Sequence, residues 1–269
     1  LDKQNTVIGF YGAQAREARW QDTRLSVCQQ SDVMVAPEHR FATPRQGVFS
    51  AISEHFLTRM VGDGKPFALS FGFPTPRALA LGQRLGIYCT GDNLQKWLSP
   101  VVYHQTKVAA KTTLTLATAV QDWTWVDQLP ALPSGAEESL RMVRSSIYWR
   151  SRFAEHPQIT YWLLRVLRWG RLCGAAILRP HNETLEVIDV ALLRSSYWVN
   201  LLEAVHGAGR QFGSSHLFAW GTARAIASFP SGERLDEGNL ALPGASLKIP
   251  LADAVRGRCW MLGGDTDFR

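Results

Sequence analysis

The chain has few lysines, no paired cysteines and no long apolar runs, and each shortage excludes something. None of its 269 residues falls in an uninterrupted apolar stretch of about 18, the length a membrane-crossing helix needs, and the mean hydropathy is -0.10. The four cysteines, Cys28, Cys89, Cys173 and Cys259, stand alone. Without a C-x-x-C pair, neither a zinc ribbon nor a dithiol redox centre is expected. Isolated cysteines in apolar surroundings instead suit core thiols in a reducing, cytoplasmic setting. Seven histidines show no H-E-x-x-H spacing, so no metal is expected. There is no G-x-S-x-G elbow, no G-x-x-x-x-G-K-[ST] loop and no G-x-G-x-x-G turn, which leaves out three common designs for hydrolysis and nucleotide binding. The opening Leu1–Asn5 has neither the charge nor the apolar core of a signal peptide, and reads as the start of a truncated chain.

What is present is a large core and many arginines. Apolar residues make up 46% of the chain and charged residues 19%, enough to bury a core and too apolar for wholesale disorder. The net charge is +6, and only six of the 29 basic residues are lysine. Arginine's planar fork suits phosphates and carboxylates, so an anionic ligand is compatible with this balance, as is ordinary solvated surface charge. The basic residues form no dense block, which disfavours nucleic acid as a partner. The arginines and aromatics of Arg144–Arg171 read more simply as an amphipathic helix followed by a strand pair.

Periodicity divides the chain into elements. Val7–Gly12, Ala13–Trp20 and Arg24–Val35 read as strands, the last two joined at Gln21-Asp22-Thr23. Val48, Ile52, Phe56 and Met60 recur every four residues, with Phe49 and Leu57 beside them, which predicts a helix ended by Gly62 and Gly64. Phe67–Phe73 is a buried strand. Thr75-Pro76 supplies an N-cap and N1 proline for a second helix reaching Leu85, and Gly86 closes it. Ile87–Thr90 restarts a strand. The order is α/β with a mixed sheet. After a Thr-rich stretch and a boundary near Pro133, the second half predicts a helix over Glu137–Phe153. Strands follow at Tyr161–Leu167, Leu172–Arg179 and Leu185–Leu192, then a helix at Trp198–Ala208 and a strand at Leu217–Trp220. Two late strands flank Pro243-Gly244, and Arg258–Leu262 is the last. The shared rhythm of the halves points to a tandem repeat.

The chemistry concentrates at Asp32-Val33-Met34-Val35-Ala36-Pro37-Glu38-His39-Arg40 and Arg45-Gln46-Gly47-Val48-Phe49-Ser50. A strand here runs into a glycine turn that opens a helix, and the unpaired N–H groups of a helix's first turn bind phosphate. The segment resembles the acyl-CoA-binding strand, loop and helix of the GNAT (Gcn5-related) N-acetyltransferases. Gly72-Phe73-Pro74-Thr75-Pro76-Arg77-Ala78, with Arg84-Leu85-Gly86-Ile87, resembles that family's second signature. The resemblance implies a fold of α/β (α+β) class: two tandem GNAT-like domains, residues 1–133 and 134–269, each a mixed, mostly antiparallel sheet flanked by helices. The first has no counterpart of the family's elements that precede Val7, and the second is degenerate, without a glycine turn after Leu185–Leu192.

The resemblance further implies transfer of an acetyl or other acyl group from acyl-CoA to an amine by direct attack in a ternary complex. Val33, Met34 and Val35 would align the pantetheine and thioester. Arg45, Gln46, Gly47, Val48, Phe49 and Ser50 would hold the pyrophosphate, and Thr75 stands where the family has Asn. Asp32 is the nearest carboxylate for a general base, against a structural hydrogen-bonding role for the same residue; Glu38, His39, Glu54 and His55 are rivals. Phe49 replaces a small residue, and Gly82 occupies the place of the tyrosine that protonates the thiolate; Tyr88 is the nearest tyrosine that could act as acid. The expected partner is a small-molecule or sugar amine acceptor, with homodimerisation left open. Two alternatives stand beside this reading: a non-catalytic acyl-CoA sensor or scaffold, and a Fem-type aminoacyl transferase using aminoacyl-tRNA.

Overall fold

The computed structural model describes residues 6–40, 47–102, 110–133 and 136–266. Among the described residues there are twelve strands: β1 (Gly9–Trp20), β2 (Thr23–Val35), β3 (Leu69–Phe71), β4 (Tyr88–Pro100), β5 (Ala110–Leu116), β6 (Leu140–Met142), β7 (Trp162–Arg168), β8 (Arg171–His181), β9 (Thr184–Leu192), β10 (His216–Thr222), β11 (Glu233–Pro243) and β12 (Cys259–Trp260). Among them lie helices α1 (Val48–Met60), α2 (Pro76–Arg84), α3 (Ser146–Trp149), α4 (Trp198–Gln211), α5 (Ala223–Ile226) and α6 (Pro250–Val255). No helix is long and apolar enough to cross a membrane among the described residues.

The chain forms two compact units built from interleaved segments. Residues 1–94, 138–143 and 237–259 make unit 1; residues 95–137, 144–236 and 260–269 make unit 2. The sequence boundary at 133/134 therefore falls inside unit 2. Unit 1 carries a mixed sheet in the order β12-β6-β1-β2-β3, with α1 and α2 in the same unit. In unit 2 the order is β11-β4-β10-β9-β8-β7-β5, counting the parts of β4 and β11 that belong to it. Its core gathers Leu164, Val166, Val187, Val190, Leu201, Val205 and Leu217 between the sheet and α4. A second cluster forms around Trp123, Trp149, Phe153 and Tyr161.

Most elements lie where the periodicity places them, and the departures have local causes. Residues 9–20 form one strand instead of two, because Gly12 sits beside a bulge and does not turn the chain. The bulge sets Tyr11 against both Asp32 and Val33, so pairing jumps from Phe10–Met34 to Gly12–Ser31. The helix expected over 137–153 is shorter. Leu140–Met142 pairs with β1, and the helical turn starts only after Ser145, whose hydroxyl accepts from the Tyr148 N–H at 3.2 Å. Arg150–Ala154 then continues as a π-helix. No strand directly follows Pro243-Gly244; a short 3-10 helix at Ala245–Leu247 leads to α6, which Pro250 begins. The hairpin turns at Gln21 and at Trp169-Gly170 form as expected, with φ of +52°, +48° and +74°.

Candidate functional site

The site begins with a divergence in the sheet of unit 1. β2 and β3 pair in parallel only over Val27–Gln29 and Leu69–Phe71. Beyond Phe71, Gly72 exchanges both backbone hydrogen bonds with Ala241, at 3.1 and 2.9 Å, and leaves β2. β2 stays with β1 through the bulge as far as Val35. The strands therefore splay into a wedge. Its apex is filled by the buried Gln30, whose amide donates to Ser70 Oγ at 2.9 Å.

A cavity of about 550 Å³ opens beside the wedge, and every lining residue belongs to unit 1. Val33 and Val35 of β2 form one wall and Gly47, Val48, Phe49 and Ser50 another; Thr75, Arg77, Ala78, Leu81, Arg84 and Leu85 close it from α2, with His39 and Arg40 at the loop side. Strand alternation explains the first wall: Val33 and Val35 face the cavity, while Met34 points to the opposite face and is exposed. Met34 is thus the one member of the expected pantetheine strand that the geometry takes out of the cavity. Arg45 and Gln46 lie outside the described residues.

The second wall is the start of α1. Gly47 is its N-cap and supplies no side-chain cap, and the positive end of the helix dipole faces the cavity. Thr75 behaves differently: its hydroxyl accepts from Ala78 N–H at 3.3 Å, which makes it the N-cap of α2 as well as a lining residue. Three guanidinium groups, of Arg40, Arg77 and Arg84, add positive charge to the lining. Arg40 is oriented by its bond to the Val35 carbonyl at 2.8 Å. The contributions of Arg77, Ala78, Leu81, Arg84 and Leu85 were absent from the expected binding set. The signal for them was their spacing, which puts all five on one face of α2.

Of the two expected catalytic residues, Asp32 is exposed at the bulge with φ of +50°, a conformation that costs energy for any residue but glycine and collects at functional sites. Tyr88 is buried and does not line the cavity. It lies behind Phe49, with ring centroids 6.4 Å apart, edge to face. Burial raises its pKa, partly offset by the neighbouring hydroxyls of Tyr11 and Ser53. A side chain at position 82 would place its Cβ only 2.1 Å from the Tyr88 ring. The Tyr88 ring thus fills the space that a tyrosine at 82 would need, with its hydroxyl directed toward Tyr11 and Ser53. Glu54 and His55 point to solvent on α1, Glu38 is exposed, and His39 alone of the rivals lines the cavity.

The comparisons with known proteins find similar folds. A probable N-acyltransferase from Enterococcus faecalis superposes over 91% of this chain and 61% of its own, with a TM-score of 0.66 at 13% identity. A GCN5-related N-acetyltransferase from Anabaena variabilis covers 89% and 60%, with a TM-score of 0.59 at 14% identity. The Saccharomyces cerevisiae N-myristoyltransferase with bound myristoyl-CoA covers 91% and 65%, with a TM-score of 0.51 at 9% identity. The chain spans about 60% of the length of the first two. It has the fold of the GCN5-related N-acetyltransferases. No protein-family model and no curated protein sequence matches it.

Proposed function

We propose that the chain is an acyl-CoA-dependent N-acyltransferase that moves a short acyl group, acetyl above all, onto an amine. The observation that carries this reading is the cavity: one wall a splayed strand, one an uncapped helix N-terminus, one a helix face with two arginines. The N–H groups of Val48–Ser50 and the guanidinium groups of Arg77 and Arg84 suit the phosphates of CoA. The exposed edges of Val33 and Val35 suit the pantetheine arm, which pairs as an extra strand would. The Gln30–Ser70 plug at the wedge apex supports a short acyl group over a long one, since a fatty chain would have to displace a buried hydrogen bond.

In the reaction the acceptor ammonium first gives a proton to the Asp32 carboxylate, directly or through water. The neutral nitrogen attacks the thioester carbon, the C–N bond forms as the C–S bond breaks, and the nitrogen's second proton passes to the departing sulfur. Products are an amide and a free thiol, and Asp32 returns its proton to solvent. A second reading, acyl-CoA binding without turnover, is favoured by one observation: Tyr88 stands behind Phe49 and outside the cavity.

Mass spectrometry of acceptor mixtures incubated with acetyl-CoA, with thiol release followed in parallel, tests the proposal. Acetylated amine with matching thiol release, lost in Gly47→Trp, is the expected result. Binding of acetyl-CoA with no acetylated product would leave the sensor reading in place of the enzyme.

A further inference from the structure

β1 and β2 present a second face beside the bulge, opposite the one that Val33 and Val35 turn toward the cavity. Phe10 and Met34 are direct partners across the strands, and their side chains stand 51% and 57% exposed. Gly12 lies next along the same face. A Cβ built there would meet the Ser31 carbonyl oxygen at 2.7 Å, Phe10 Cε1 at 3.1 Å and Asp32 Cβ at 3.5 Å. The missing side chain thus leaves the Phe10 ring and the Asp32 side chain bordering one patch of bare backbone. The carboxylate is held by a residue with φ of +50°, in a chain of net charge +6.

We infer that this face receives the acyl acceptor, and that the acceptor is a primary amine on an aryl or alkyl frame rather than on a polyol such as a sugar. The inference rests on the acyl-transfer reading and narrows its substrate class. An ammonium finds in Asp32 a charge partner and in the Phe10 ring a π-face. An apolar frame finds the ring and the polarizable Met34 thioether. A sugar amine would have to desolvate several hydroxyls against an aromatic ring and a thioether, neither of which replaces their lost water hydrogen bonds. Position agrees with chemistry: Asp32 is the residue before Val33, whose side chain lines the cavity, so the acceptor face and the cavity meet at adjacent residues of β2.

Calorimetric titration of 2-phenylethylamine and of glucosamine into the full chain, saturated with CoA so that no turnover occurs, tests this. The expected result is that 2-phenylethylamine binds at least about tenfold tighter than glucosamine. Phe10→Ala and Asp32→Asn should each weaken 2-phenylethylamine about tenfold, the size of one cation–π or charge contact, with CoA affinity unchanged. Phe10 is exposed, and asparagine tolerates the left-handed conformation at 32, so neither variant should disturb the fold. Glucosamine binding as tightly, or both variants leaving 2-phenylethylamine affinity as it was, overturns the acceptor assignment while the CoA reading stands. Failure of CoA itself to bind overturns both.

Discussion

At the scale of single residues, the most telling exchange is between positions 82 and 88. Gly82 has no side chain because the Tyr88 ring stands where its Cβ would project, 2.1 Å away. The atoms in the way are the inner ring carbons of a buried side chain, which cannot swing aside as a flexible tip can. Gly82→Ala should therefore destabilise the protein by about 1–3 kcal/mol, read from chemical denaturation, and the companion Tyr88→Ala should remove most of that added cost. An alanine at 82 tolerated at no cost in the wild-type background would mean that Tyr88 does not pack as described. The exchange was not legible in the sequence. Periodicity places Gly82 on α2 and Tyr88 at the start of β4, but cannot say that one leaves a gap and the other fills it.

At the scale of elements, legibility followed periodicity. α1, α2, α4 and the hairpins at Gln21 and Trp169-Gly170 could be read because each carries a repeat or a turn residue of its own. The bulge in β2 could not, since nothing in Ser31–Val33 distinguishes a bulge from a regular strand until the partner register is known. The shortened helix near Ser146 shows the same limit: Leu140–Met142 joins β1, so tertiary pairing overrides local helical preference there. For the site, the strand and α1 walls were legible from their motif, whereas spacing put Arg77 and Arg84 on one face of α2 and only the fold sets that face beside the cavity. The β1–β2 turn offers an element-scale test. Gln21 holds φ of +52°, which glycine adopts without steric penalty, so Gln21→Gly should stabilise the protein by about 0.5–1 kcal/mol. A lower melting temperature in that variant would contradict the turn geometry.

At the scale of the whole molecule, unit 2 contains a buried ionic cluster with no evident sequence signature. Arg144 contacts Asp189 at 2.9 Å and Asp265 at 2.6 Å, and all three side chains are almost wholly buried. Trp149 Nε1 donates to Asp189 at 2.9 Å and the Leu262 N–H to Asp265 at 3.0 Å, so residues from three distant stretches meet at one guanidinium. Burial opposes the Arg144 charge, and the two carboxylates more than offset it, keeping it protonated. Burial pushes the Asp189 carboxyl above the usual carboxylate range, with Asp265 adding and Arg144 opposing. A carboxyl with a raised folded-state pKa binds its proton more tightly folded than unfolded, so its contribution to stability grows as pH falls through that interval and is lost as pH rises. Arg144→Met leaves two buried carboxylates without a cation. At pH 7 it should cost about 3–5 kcal/mol, and the deficit should shrink by pH 5 as one carboxyl takes up a proton. A deficit that widens on acidification would contradict this.

The central claim is that the cavity between β2, α1 and α2 holds acyl-CoA, and isothermal titration of acetyl-CoA tests it most directly. The wild-type chain should bind at a single site. Arg77→Glu with Arg84→Glu, exposed residues whose reversal leaves the core intact, should weaken binding at least about a hundredfold, as expected for losing two charge-assisted phosphate contacts. Equal affinity in the wild-type chain and the double variant, or no binding to either, would contradict the account.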